Sequence, residues 1–136
     1  MPLTTDRVTT TRDGNFYRNV PLAAGVIVPT GTVGAVSTSG LAGPSSNATY
    51  NRILGVVDVG ADNTGGAASA KTVEIRRGIS STFDNSATTP VLVAHIGQTV
   101  KWEDNSIVAA PATASLPSGG VIMGINEDLS VDIFFP

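Results

Sequence analysis

The chain has 136 residues, of which 41% are hydrophobic, 5% aromatic and 14% charged, and its formal net charge is −3. The absence of cysteine excludes disulfides, the single histidine argues against a His-based metal site, and the negative charge gives no general attraction for nucleic acid. Short apolar segments are separated by turn-forming residues, among them 15 Gly and 8 Pro, and this pattern predicts an all-β fold. With no apolar run of membrane-spanning length and no signal-like start, the sequence predicts a soluble, unprocessed protein without a membrane partner.

Residues 1–19, MPLTTDRVTTTRDGNFYRN, are polar, rich in Thr and without a sustained apolar period. Because β-branched Thr restricts χ1 in a helix, this segment favours an extended backbone. It is interpreted as an N-terminal arm that is loose alone and extended when bound. A merely disordered terminus is the alternative that the sequence leaves open.

Residues 20–136 are predicted to form one β-rich domain. Strands are expected near 26–28, 32–37 and 40–42, and then in RILGVVDVG, KTVEIRRG, GGVIMGIN and LSVDIFFP. In KTVEIRRG, Val73 and Ile75 alternate with polar residues, as in a half-buried strand. The stretch TTPVLVAHIGQTV fits either a strand or a short helical turn.

A weak internal repeat runs through this domain. Three pairs of blocks recur in the same order: TVGAVSTSGLAGP (32–44) with TVKWEDNSIVAAP (99–111), ILGVVD (53–58) with IMGINE (122–127), and TVEI (72–75) with SVDI (130–133). Blocks kept in register favour two copies of one β-unit, about 20–79 and 90–136, that close a shared small barrel or sandwich.

The loop before KTVEIRRG contains GGAASAKT, which differs from a phosphate-binding loop in having Ala70 instead of the last Gly. That motif requires a helix after it, whereas the following residues have the period of a strand. A calcium site from Asp58, Asp62 and Asn63 lacks the regular acidic spacing, and these residues are better interpreted as turn formers. No cofactor and no metal site is therefore predicted.

Catalytic residues are equally scarce. His95 lies in the apolar stretch VLVAHIGQ, and no G-x-S-x-G elbow accompanies it. Glu103 and Asp104 are adjacent, so on a strand they face opposite sides and cannot act as an acid–base pair. The sequence therefore predicts a protein that is not an enzyme. Trp102, the single Trp, is a candidate core or interface anchor.

The polar arm followed by ILGVVDVGADNTGG, KTVEIRRG, GQTVKWEDNSIVA and GGVIMGINEDLSVDIFF resembles the small capsid decoration (head-stabilising, or cement) proteins of tailed bacteriophages. The resemblance covers roughly residues 20–135. It implies a compact β-rich protein, made in the host cytoplasm, that sits as homotrimers on the outer capsid surface of the virion. Its partners would be the major capsid protein and other copies of itself, with the arm ordering against the capsid.

The resemblance also assigns roles to particular residues. The arm residues expected to contact the capsid are Leu3, Thr4, Thr5, Asp6, Arg7, Val8, Thr9, Thr10, Thr11 and Arg12. Phe16 and Tyr17 would anchor the root of the arm, and Trp102 remains a candidate interface anchor on its own residue chemistry. Two alternatives remain: a tail, spike or fibre-attachment component of the virion, and a free carbohydrate- or ligand-binding β-domain, which one Trp and two Tyr disfavour.

Overall fold

The computed structural model describes residues 16–136, and within them the only regular structure besides β-strands is one 3₁₀ turn, Val93–His95. The predicted all-β fold is therefore confirmed. The strands are β1 (Phe16–Pro21), β2 (Ile27–Val28), β3 (Val33–Val36), β4 (Ala42–Gly43), β5 (Arg52–Val59), β6 (Ala61–Asp62), β7 (Thr72–Arg77), β8 (Ile79–Asn85), β9 (Thr99–Trp102), β10 (Ile107–Ala109), β11 (Ser118–Ile125) and β12 (Val131–Phe135).

The strands form two units that share one topology. The first is a sheet with the order β4-β3-β5-β7-β1, and the second is a closed barrel with the order β10-β9-β11-β12-β8. The three repeated sequence blocks fall on equivalent strands of these two units. Strands β1 and β8 are equivalent as well, because β8 pairs with β12 as β1 pairs with β7. The repeated sequence blocks include neither of these two strands. A small ribbon, β2 with β6, accompanies the first unit.

The two units differ in how they close. In the second, β10 runs parallel to β8, with Ile107 opposite Asp84 and Val108 opposite Asn85. In the first, the equivalent strands β4 and β1 meet only in an isolated parallel bridge between Leu22 and Ala42. Beyond this bridge, β1 is the edge of the first sheet.

Strand β3 and the centre of β5 are buried on both faces, because the first sheet lies between two apolar cores. Val36 and Val57 belong to the core of the first unit, whereas Val33 and Val56 pack into the core of the barrel. Side chains of odd sequence separation on a strand point to opposite faces, so each strand contributes to both cores. This explains why RILGVVDV reads as a continuous apolar run rather than an alternating one.

Glycines at equivalent positions of the two units provide a test of this packing. A Cβ on Gly55 in β5 would lie 2.4 Å from the carbonyl oxygen of Arg76 in β7, whereas a Cβ on Gly124 in β11 would meet nothing within 4 Å. We expect Gly55→Ala to lower the free energy of unfolding by about 1–3 kcal/mol, because β5 and β7 must separate to admit the methyl group. The matched Gly124→Ala should change it by less than about 0.5 kcal/mol. Urea unfolding of both variants measures the difference, and equal effects would contradict this packing.

Candidate interaction surfaces

The predicted root of the arm lies on the edge strand β1. The Tyr17 side chain is 42% exposed, and the guanidinium carbon of Arg76 lies 5.2 Å from the centre of its ring. The same guanidinium lies 4.0 Å from the carboxylate of Asp58. A cation over an aromatic face is attracted by the ring quadrupole, which contributes about 0.5–1 kcal/mol at exposed sites. Tyr17 thus fastens the outer face of β1 to its neighbour β7.

The paired sheet begins earlier in the chain than the sequence suggested. The interval 1–19 was expected to be a loose arm, but β1 starts at Phe16 and pairs with β7 in register, from Phe16 opposite Arg77 to Asn19 opposite Glu74. The paired backbone and the Tyr17 contact hold these residues in the sheet. The expected capsid-contact residues, 3–12, lie outside the described residues, so their role stays a prediction.

The edge of β1 is exposed on both faces near its start. Tyr17, Arg18 and Asn19 are consecutive and all exposed, and Val20, which follows them, is buried. Within the described part of the chain, β7 is the one strand that pairs with this segment. An edge strand of this kind can accept a further strand from another chain through main-chain hydrogen bonds.

Trp102, by contrast, is a core residue and not an interface anchor. Its side chain is fully buried in the barrel, and its ring centre lies 4.7 Å from that of Phe83 and 6.0 Å from that of Phe135. The indole N–H donates to the carbonyl of Gly119 at 2.9 Å. Of the two roles that the sequence left open for Trp102, the structure places it in the core, because β9 turns it towards the barrel interior.

The loop between β6 and β7 leads into a strand, and no helix follows Lys71. Asn63 is buried and holds this loop, since its amide donates to the carbonyls of Ala23 at 2.9 Å and Ala67 at 3.0 Å. The carboxylate of Asp62 accepts hydrogen bonds from the hydroxyl and the backbone N–H of Thr64, which lower the pKa of Asp62. These bonds are those of a turn, as the sequence predicted for Asp62 and Asn63. For Asp58 the prediction of a turn residue was wrong, because this residue lies on β5, 4.0 Å from the Arg76 guanidinium.

His95 and Asp104, the candidate catalytic residues of the sequence, hydrogen-bond the backbone of turns. His95 Nδ1 accepts the backbone N–H of Leu92 at 2.9 Å and so closes the 3₁₀ turn. Asp104 accepts the backbone N–H groups of Ser106 and Ile107 at 2.7 and 2.8 Å and so shapes the turn between β9 and β10. Over residues 16–136, no group of three or more His, Asp or Glu side chains could hold a metal ion.

One end of the barrel carries exposed apolar side chains that sequence reasoning missed. Leu92, Val93 and Ile96 project from the 3₁₀ turn and its flanks, and Met123 lies on β11 beside this turn; we call these four residues the barrel-end patch. Leu129, on the turn between β11 and β12, extends the apolar surface. The stretch PVLVAHI gave only an apolar signal, which is the same for a buried strand and for an exposed patch.

Comparisons with known proteins identify no relative. No protein family, no curated protein and no solved structure matches the chain. In the described range, no helix has the length and apolar character needed to cross a membrane.

Proposed function

We propose that this protein is a non-enzymatic structural component of a phage virion that decorates the outside of the capsid. It stabilises the shell by bridging major capsid protein subunits, as trimers, with residues 3–12 of the N-terminal arm in contact with the capsid. The observation that carries the proposal is the position of β1, which is the edge of the open first unit and is continuous with the Thr-rich segment 1–15.

Two physical features support this role for the arm. Residues 1–15 extended at about 3.3 Å per residue would reach on the order of 50 Å, which is enough to cross a seam between neighbouring subunits. Their β-branched Thr residues favour an extended backbone, so the segment can add to a sheet edge at a modest cost in ordering. The Tyr17–Arg76 contact and the pairing of β1 with β7 give the arm a rigid base.

Binding of this kind stabilises a shell through linkage. A ligand that binds only the assembled state shifts the equilibrium towards that state, by an amount that grows with the logarithm of its concentration relative to its dissociation constant. Repetition over many equivalent sites then converts modest individual contacts into a large stabilisation of the particle. The barrel core also contains Val33 and Val56 of the first unit, so packing holds the two units together.

The copy number of the chain in purified phage particles tests the proposal. Gel densitometry against the major capsid protein should give a ratio near one to one, because a decoration protein occupies positions all over the shell. A few copies per particle would assign the protein to the tail or a spike. Absence from the particles would refute a structural role and leave the ligand-binding alternative.

A further inference from the structure

The barrel-end patch groups four exposed apolar side chains. Val93 is 72% exposed, Leu92 and Met123 are each 55% exposed, and Ile96 is 46% exposed. Together these side chains present apolar surface on the order of several hundred Å², which is the size at which patches mark contact sites with other molecules. Exposed apolar residues scattered singly would need no explanation, but three of these residues belong to one turn and its flanks, and Met123 lies on the strand beside it.

The patch is held in place by the barrel. The backbone N–H of Gly97 donates to the carbonyl of Ile122 at 2.8 Å, and that of Ile122 donates to the carbonyl of Gln98 at 3.0 Å. On the other side, the amide of Asn85 donates to the carbonyl of Val91 at 3.0 Å and its oxygen accepts the Val91 N–H at 2.7 Å. The turn is therefore fixed at both ends, and its apolar side chains stay exposed because no element within residues 16–136 covers them.

The segments that build the patch carry no formal charge. Residues 85–100 and 105–126 contain no Asp, Glu, Lys or Arg, although the whole chain has 19 such residues, 8 basic and 11 acidic. Depletion of charge together with apolar side chains is typical of the centre of an interface, and most of all of interfaces between identical subunits. Partners of a different kind are usually selected by complementary charge, which the patch lacks.

Two acidic residues, Asp84 and Asp128, lie near the rim of this surface. Asp84 and Asp128 line a shallow pocket with Leu129 and Pro90, and Pro90 also borders Leu92 in the neighbouring pocket. Hydrogen bonds from the hydroxyl and backbone N–H of Ser130 lower the pKa of Asp128, so this carboxylate is charged at neutral pH. If two copies meet through the patch, their uncharged apolar side chains contact each other. The negatively charged carboxylates at the rim of one copy then lie near those of the other.

We infer that the barrel-end patch is the surface through which copies of this chain bind one another. Identical patches can meet about a symmetry axis, because each copy presents the same neutral, apolar centre. The inference does not require the proposed function. If that function holds, the patch joins the copies of each decoration oligomer, and the arm joins the oligomer to the capsid.

Sedimentation of the full chain over a range of concentrations tests this inference. We expect the wild-type chain to self-associate, and Val93→Lys to raise the dissociation constant at least about tenfold, because the contact would bury an unpaired charge. Val59→Lys is the matched control: Val59 is also 55% exposed but lies on β5, outside the patch, and opposite Glu74. This control should leave the dissociation constant unchanged, and both variants should keep the wild-type unfolding midpoint.

The salt dependence of self-association is a second test of the inference. Self-association should strengthen as the salt concentration rises from about 50 to about 500 mM, since salt screens the acidic rims and leaves the apolar centre intact. A wild-type chain that stays monomeric up to about 100 µM, or Val93→Lys that associates like the wild type, would overturn the inference. A monomeric wild type whose Val93→Lys variant no longer joins particles would reassign the patch to another virion protein. A chain that associates through the patch but is absent from particles would refute the proposed function alone.

Discussion

Deletion of residues 2–15 is expected to abolish attachment to the capsid while the rest of the protein stays folded. The truncated chain keeps β1, its pairing with β7 and both apolar cores, so its unfolding midpoint should stay close to that of the full chain. Attachment should be lost because the segment that would add to an exposed edge of the capsid protein is gone. The measurement is co-sedimentation of the purified chain with undecorated phage shells, together with thermal unfolding of the chain alone.

A chain in which residues 2–15 are replaced by a Gly/Ser segment of equal length is the control for this deletion. Gly and Ser keep the reach of the arm but lack the β-branched Thr residues that favour an extended backbone. This chain should therefore also fail to attach. A truncated protein that is unfolded, or one that still decorates shells, would show that the arm does not have the proposed role. Attachment by the Gly/Ser chain would show that only the length of the arm matters.

Replacement of Trp102 by Ala is expected to have the largest effect on stability. Trp102 is fully buried and contacts both Phe83 and Phe135, so its removal leaves a large cavity in the barrel core. Such a change costs about 3–5 kcal/mol, which is a large part of the 5–15 kcal/mol that stabilises a typical domain. The variant should therefore unfold at a much lower urea concentration, as measured by circular dichroism, since the substitution removes the only Trp fluorophore.

Trp102→Phe is the comparison for this substitution. It keeps an aromatic ring in the core but loses part of the volume and the hydrogen bond to the Gly119 carbonyl, so a cost of about 2 kcal/mol is expected. If Trp102→Ala unfolded within about 1 kcal/mol of the wild type, the aromatic cluster could not be the centre of the barrel core. A clear loss of stability in Trp102→Ala would in turn explain any loss of attachment without a direct role at an interface.

Much of the fold could be predicted because its signals are local. The alternation of Val73 and Ile75 with polar residues is a property of neighbouring residues, and both are buried on one face of β7 as expected. The blocks at 53–58 and 122–127 recur because β5 and β11 occupy equivalent places in two units of one topology. The strand β8 was not placed in a unit, because its sequence ISSTFDN has only one fully buried apolar residue, Phe83.

The candidate surfaces were harder to predict, since they depend on what lies next to a residue in space. Leu92 and Val93 have the composition of a core strand, and they are exposed only because the 3₁₀ turn carries them over the end of a barrel that Val91 and Val100 already fill. Trp102 is as consistent with an interface as with a core until the direction of β9 is known. Tyr17 acquires its contact from Arg76, which is 59 positions further along the chain but directly opposite in the sheet.

The amino-acid sequence by itself determined that the chain is all β, that it consists of two related units and that the loop before β7 is a turn, because periodicity and turn-forming residues act over a few positions. Tertiary structure alone decided that one unit closes into a barrel while the other, within residues 16–136, ends at the edge strand β1, although their strands have the same order. It also decided which apolar residues remain uncovered. Both outcomes depend on pairing between strands that are distant in the sequence, such as Leu22 with Ala42 and Ile107 with Asp84. A local sequence pattern carries no information on which distant strands will pair.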